Sequence, residues 1–479
     1  MPSPQPLLSQ KKLLVSAITL LVSHEALAVG FMINPTSTLT GIANAGSAVY
    51  DRSVVAISNN PAAMALMSKK QVGGNFTVVV PDWSINEGWD CGAEGNCADS
   101  NVSPIAVIPT IGLIRPMDND FTWGIGMGAV AGAGMEYGNK FKTRPIVTEN
   151  MLQVVELMNS VSWRMDDKWT FGVGLGILHG SFEQKQDLPS LSDTSVDDLT
   201  SIVEFVGLAQ ECSGPPAVVA ACRTAALVKS GLNPATAAET LNSLSSYMGG
   251  ETGTTVDLEG DDIGAEITIG ATYEFIPGHR LGFAYHYLSD FTFEGSAKIN
   301  GQLLSSETSQ KPHMTLTWDM PERLVVSGSH KVTKDLNVYW DFERVFFDSF
   351  KSTDLRMDGF HTMQIDRNFK DANRYAIGGE YGLDEKITLQ LGFSYDESPV
   401  DDSDRMADIP VDDIFKTAFG AIYQVNEQLN VQGFVSLEFL GDAQVEQLAS
   451  INGEKLGDSV KFYSDATLYV FGVSFGYYF

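Results

Sequence analysis

The 479-residue sequence predicts an all-β fold: a transmembrane antiparallel β-barrel of about 14 strands, with the start of the mature chain plugging its lumen. Three observations predict it. Hydrophobic residues alternate with polar or small ones over runs of roughly ten residues, the length a strand needs to cross a bilayer. Short turns alternate with long connections. Beyond the N-terminal 28 residues, no stretch has the roughly 20 apolar residues of a spanning helix.

The alternation is clearest in the second half. In Lys386 to Tyr395, Ile387, Leu389, Leu391, Phe393 and Tyr395 share one face. Arg280 to Phe293 and Tyr469 to Phe479 repeat the pattern, the latter with six large apolar residues in alternate positions. Soluble sheets also alternate, but their strands are nearer five or six residues long. The predicted spans are 71–83, 103–115, 121–136, 152–165, 168–186, 256–276, 279–299, 312–332, 335–349, 369–383, 386–397, 413–425, 428–441 and 465–479. Short turns fall at Met117-Asp118, Asp166-Asp167, Pro277-Gly278, Thr333-Lys334, Asp384-Glu385 and Asn426-Glu427. An even strand count with short turns at one end and long loops at the other is the grammar of Gram-negative outer-membrane barrels. The row ending at Phe479 resembles the signal by which the outer-membrane assembly machinery handles such barrels.

Composition narrows the partners. A net charge of −29 leaves no basic face for nucleic acid. Mean hydropathy of −0.02 is too polar for a helical membrane protein. Residues 1–28 read as a signal peptide, with Lys11 and Lys12, an apolar run from Leu13 to Val22, and Ala26-Leu27-Ala28 before the cut. Residues 29–70 lack strand alternation and are rich in small residues, so they are assigned as an N-terminal hatch inside the barrel of residues 71–479. The long loop at 187–255 reads as largely helical, with Leu199, Ile202, Val203 and Val206 at helical spacing. Cys91 with Cys97, and Cys212 with Cys222, are disulfide candidates, because export places them in an oxidising compartment.

No chemistry of catalysis emerges. Gly472-Val473-Ser474-Phe475-Gly476 matches the nucleophile-elbow pattern, but that motif must lead into a helix and here lies in strand alternation. The sequence has no metal-ligand spacing and no cofactor-binding loop, and the protein is expected not to be an enzyme. Asp396, Glu397, Asp401, Asp402, Asp404 and Asp408 form an acidic cluster without calcium-loop spacing, read as a solvated loop or a bridge to lipopolysaccharide through cations. His286 falls on the lumen side of its strand, either touching ligand or serving as a lone polar wall residue.

Several motifs then point to a family. Val29-Gly30-Phe31, Thr40 to Gly46, Asn60-Pro61-Ala62, Thr315 to Glu322, Phe369 to Gly378 and Asp396 to Val400 occur in order along the chain. Together they resemble the FadL/TodX family of outer-membrane channels for hydrophobic compounds. The resemblance implies a 14-stranded barrel with a hatch. It implies passive uptake of long-chain fatty acids by capture at outer loops, binding in a lumen pocket, and sideways release at a kink in the third strand. It places Phe31 at the pocket, and Asn60, Pro61 and Ala62 at the hatch turn near the kink. Gly124, Gly126 and Gly128 either supply the kink or make room for the hatch. A carboxylate ligand needs a cationic partner, and Lys185, Arg344 and Lys351 are the candidates near the family's basic positions. Their imperfect match leaves neutral alkanes or aromatics as the alternative ligand. A general porin is disfavoured by the hatch, and a structural or adhesive surface barrel is the rival of another class. The expected partners are the hydrophobic ligand, outer-membrane lipid and lipopolysaccharide; the expected state is a monomer.

Overall fold

The computed structural model describes residues 38–86, 98–117, 120–138, 147–188, 254–300, 312–358, 363–451 and 454–479. Its strand segments form one antiparallel sheet that closes on itself, since the first strand pairs with the last from Gln71↔Tyr478 to Asn86↔Tyr463. Interruptions at 289–290, 319–321, 347–351 and 367–371 divide single strands, and Ala98–Ser100 is a short flap on the first strand. The barrel so formed has 14 strands. They are β1 Gln71–Asn86, β2 Ala106–Pro116, β3 Phe121–Glu136, β4 Glu149–Arg164, β5 Trp169–Leu188, β6 Thr254–Ile276, β7 His279–Asn300, β8 His313–Lys331, β9 Leu336–Met357, β10 Met363–Gly382, β11 Ile387–Asp396, β12 Ile414–Gln424, β13 Leu429–Ile451 and β14 Glu454–Tyr478. The largest departure from the predicted spans is at β13 and β14, which continue as a paired hairpin well beyond 441 and 465.

Local chemistry sets the turns. Asp166 accepts from the backbone of Lys168 (2.8 Å) and Trp169 (2.7 Å), and Asp384 from Lys386 (2.7 Å) and Ile387 (2.8 Å). Asn426 does the same for Gln428 and Leu429. A short acceptor side chain caps the two following N–H groups, so the chain reverses within four residues.

The two faces of the wall are opposite in character to those of a soluble barrel. Outward residues include Phe171, Val173, Leu175 and Ile177 on β5 and Phe471, Val473, Phe475 and Tyr477 on β14; Leu175 is 61% exposed. Water penalises exposed apolar area at about 25 cal/mol per Å², so a continuous belt of this kind needs an apolar surrounding. At the short-turn end the belt finishes in stacked aromatics: Phe121 on Trp163, Trp163 by Phe171, and Trp169 on Tyr273 with ring centroids 4.3 Å apart. Such girdles sit where lipid meets water.

The described part of the N-terminal region, residues 38–70, lies against the inner face. It is a chain of short turns: 3₁₀ helices Thr38–Ile42 and Pro61–Leu66 and one helical turn Ala56–Asn59. Ile42 backs onto Gly392 of β11, Ala48 onto Gly282 of β7, and Ala62 onto Gly172 of β5. A Cβ at Gly172 would stand 2.3 Å from the Ala62 nitrogen, so only glycine admits the backbone there.

Candidate functional site

The inner wall holds two zones. At the short-turn end and middle, charged side chains are buried and paired. His286 is 2% exposed, and its Nδ1 lies 3.1 Å from both Glu266 Oε1 and Thr268 Oγ1. Arg323 approaches Glu343 (3.4 Å), and Lys416 pairs with Glu438 (2.8 Å). Arg374 sits among Asp396 (3.3 Å), Glu343 (3.5 Å) and Asp341 (3.8 Å). Buried charges survive only when so compensated.

This zone also fastens the N-terminal segment. Asp341 accepts from the Gly46 and Ser47 backbone (3.1 Å each) and from the Ser327 hydroxyl. Arg374 donates to the Ala43 carbonyl (2.6 Å), Ser160 to the Ile57 carbonyl (2.7 Å) and Thr170 to the Ala62 carbonyl (2.9 Å). Tyr50 donates to Glu380 (2.9 Å), which also accepts from Arg52 (3.0 Å). Asn60 is fully buried; its amide donates to Ala48 O (2.6 Å) and Ala271 O (3.3 Å), and its Oδ1 accepts from Ala62 N (3.0 Å). Asn60, Pro61 and Ala62 pack on β5 and β6. Ile57 and Met64 lie over Gly124 of β3, and Ile57 also over Gly126.

The second zone, toward the long loops, is apolar. One contiguous cluster holds Trp83, Phe182, Phe291, Phe293, Trp318, Phe350 and Phe462 together with Val130, Ala131, Ala133 and Met135 of β3. Here the wall changes. The β2–β3 ladder ends at Ile111↔Met127, although β2 goes on pairing with β1 as far as Ala106. The β3–β4 ladder slips one residue between Ala129 and Ala131. Beyond the slip, β3 from Val130 to Met135 is buried on both faces. A bulge bends the strand carrying it, and here the bulge lies just past the point where β3 stops pairing with β2. The three glycines thus separate in role. Gly124 and Gly126 make room for the N-terminal segment, while Gly128 stands at the parting, with only Thr110 near the place of its missing side chain.

The basic candidates do not meet in this lumen. Lys185 shares the outward parity of β5 and pairs with Glu149, with nearly half its side chain exposed. Arg344 alternates outward on β9 and is held by Asp371 (2.9 Å) and Asn373 (3.0 Å). Lys351 is exposed beside Asp348 (3.2 Å). Among the buried cations that sequence reading missed, the one stacked on the aromatics of the apolar cluster is Arg367. It is 2% exposed, lies 5.3 Å from the Trp318 ring and 5.7 Å from Phe350, donates to Thr353 (3.1 Å), and pairs with Asp408. No periodicity marks it, because it stands in the interruption of β10. The acidic cluster is likewise not simply solvated: Asp396 and Asp408 are drawn inward by Arg374 and Arg367, while Asp401 and Asp402 stay exposed. Ser474 is buried in β14 beside Gln432 (3.4 Å), in a strand, as expected for a motif without catalytic context. Phe31, all four cysteines and nearly all of the 187–255 loop lie outside the described residues.

The comparisons agree with this architecture. Residues 19–479 match the family described as outer membrane protein transport protein (OMPP1/FadL/TodX). The long-chain fatty acid transport protein of Escherichia coli is 23% identical, over 99% of this chain and 100% of its own length. Outer membrane protein P1 of Haemophilus influenzae is 23% identical, over 97% and 98%. A crystal structure of a Pseudomonas aeruginosa FadL homologue superposes with a TM-score of 0.74 at 19% identity, covering 94% of this chain and 99% of the other. The Pseudomonas putida toluene transporter TodX gives 0.65 at 15% identity, covering 95% and 99%. The chain belongs to the OMPP1/FadL/TodX family of hydrophobic-compound transporters and is a protein of the Gram-negative outer membrane.

Proposed function

We propose that this protein is a passive channel for long-chain fatty acids, with residues 29–70 as its hatch. Ligand is captured at the long loops, enters the apolar cluster, and leaves sideways between β2 and β3. The observation that carries this reading is the end of the β2–β3 ladder at Met127, beside an apolar cluster to which β3 itself contributes. The route needs no energy source, since an apolar chain gains about 25 cal/mol per Å² wherever it leaves water. In this reading Phe31 is the N-terminal residue that touches the ligand. Outer-membrane lipid surrounds the apolar belt, lipopolysaccharide flanks its outer edge, and the assembly machinery engages β14. One chain closes the whole barrel, so a monomer suffices.

The test is uptake of labelled oleate by a Gram-negative strain lacking its own fatty-acid channel and expressing this chain. A Thr110→Cys, Gly128→Cys pair is then oxidised to staple β2 to β3. A Cβ at Gly128 lies 3.5 Å from Thr110 Oγ1 and 3.6 Å from its Cγ2, so the two side-chain positions face each other across the parting and a sulfur in place of the Thr110 branch atoms can reach the other cysteine. Uptake should stop on oxidation and return on reduction, while the unsubstituted protein ignores both treatments. Full uptake through the stapled barrel would sink lateral release. The second reading is uptake of neutral hydrocarbons, favoured by the outward or exposed placement of Lys185, Arg344 and Lys351. It gains if cells with a folded barrel take up an alkane but not oleate.

A further inference from the structure

Arg367 and Asp408 form a pair whose two halves come from different kinds of structure. Arg367 is fixed at the interruption of β10: its backbone N–H donates to Lys351 O (2.6 Å), its Nε to Thr353, and its plane lies over Trp318 and Phe350. Asp408 comes from the β11–β12 connection, which folds into the barrel mouth and buries Ala407, Ile409 and Val411 in the apolar cluster. The grip on Asp408 is incomplete. Oδ2 meets Arg367, but Oδ1 is buried and has no hydrogen-bond partner among the described residues. A cation in an aromatic setting cannot stand alone, yet it does not discriminate between one carboxylate and another of the same charge.

From this we infer that Asp408 is a built-in stand-in for the ligand's carboxylate, and that a fatty acid binds Arg367 by displacing it and freeing the β11–β12 loop. The inference rests on the fatty-acid reading above and adds the anchoring residue and the loop that yields to the ligand. Exchange of one carboxylate for another keeps Arg367 neutralised throughout, whereas an alcohol or alkane offers no replacement and leaves the loop in place. The freed loop exposes Arg405, now 2% exposed and bonded to Asp402, Asp412, Val411 O and Gln444 O, as a site for trypsin.

The experiment uses the full chain in nonionic detergent, with oleate and oleyl alcohol as probes. Dissociation constants and the rate of tryptic cleavage after Arg405 are measured for the unsubstituted protein, Asp408→Asn and Arg367→Gln. Oleate should speed cleavage about tenfold, and oleyl alcohol should leave it unchanged. Asp408→Asn should tighten oleate about tenfold by removing the internal competitor, without changing oleyl alcohol. Arg367→Gln should erase the difference between the two probes. Heat-modifiable migration checks that each barrel is folded, and Asp408→Asn, which preserves size, serves alone should Arg367→Gln fail to fold. Equal binding of both probes with an unchanged cleavage rate would overturn the latch while leaving hydrophobic uptake standing. Failure of both probes to bind would overturn the latch and the fatty-acid reading together.

Discussion

Asp341→Ala should detach the N-terminal segment from the wall without opening the barrel. In the native protein this carboxylate accepts from the Gly46 backbone at 3.1 Å, from Ser47 at 3.1 and 3.2 Å, and from the Ser327 hydroxyl. Alanine orphans two backbone donors, one fully buried and one half-buried, at about 1–3 kcal/mol per buried group. Arg374 retains Glu343 and Asp396, so its own burial is less affected. Allowing water to reach Ser47, the fastening weakens by about 2–4 kcal/mol. With tenfold per 1.4 kcal/mol, local opening of residues 43–50 becomes roughly 30- to 700-fold more frequent. Hydrogen exchange read by mass spectrometry should show that acceleration in peptides spanning 43–50. Peptides from β11–β14 should keep their protection, and the unheated band on a gel should keep its folded migration. Asp341→Asn, which retains one acceptor, should fall between. Unchanged exchange in 43–50 on Asp341→Ala would refute the claim that wall hydrogen bonds, not the apolar contacts of Leu39, Ile42 and Val49, hold this stretch.

Three further outcomes follow from the same geometry. Gly270→Ala puts a methyl group 1.8 Å from Asn60 Oδ1, so the Asn60 amide must leave its three partners at about 1 kcal/mol each, and proteolysis between 48 and 65 should speed up accordingly. Leu175→Arg, at the centre of the outward row of β5, should cost about 2–4 kcal/mol of folding into bilayers and little in a detergent that wets the arginine, read by urea titration. Backbone N–H groups of Lys386 and Ile387 hold the Asp384 carboxyl below the ordinary aspartate range. A lowered carboxyl stabilises the fold above the ordinary aspartate range, and the gain is lost as pH falls through the depressed value, so Asp384→Ala should lower the thermal midpoint at neutral pH and the difference should shrink as the medium is acidified below that range.

The wall was legible in the sequence because its physics is local. Alternation over ten residues and Asx-type turns at Asp166, Asp384 and Asn426 need no knowledge of distant parts, and the third strand has the predicted bounds, Phe121–Glu136. Strand extents failed where the cause is not local: β13 and β14 run past 441 and 465 because they pair with each other, not because their residues alternate cleanly. Arg367, the buried cation beside the apolar cluster, was missed for a related reason. Lys185 and Arg344 sit in alternating strands, where one step of register decides between lumen and outside. Arg367 lies in a break, and only the packing of Trp318 and Phe350 from two other strands makes it an interior group.

That division of labour bears on the proposed route through the barrel. An aqueous pore needs a continuous polar path, and here several interior carboxylates are held by the protein itself: Glu266 by His286, Glu343 by Arg323 and Arg374, Glu438 by Lys416, and Asp341 by the N-terminal segment. Ions entering from the short-turn end meet side chains largely held by one another and a segment tied to the wall. An apolar molecule needs none of these groups. It needs contact with the cluster that runs from Trp318 to Met135, and a wall that is not sealed by backbone pairing where that cluster reaches it. The slip at Val130 fulfils the second need at small cost, because β3 keeps its ladder to β4 on both sides of the bulge. On the proposed route, selectivity between hydrophobic and polar solutes requires no gate in the polar half, because the fastening and the proposed passage occupy different halves of one lumen.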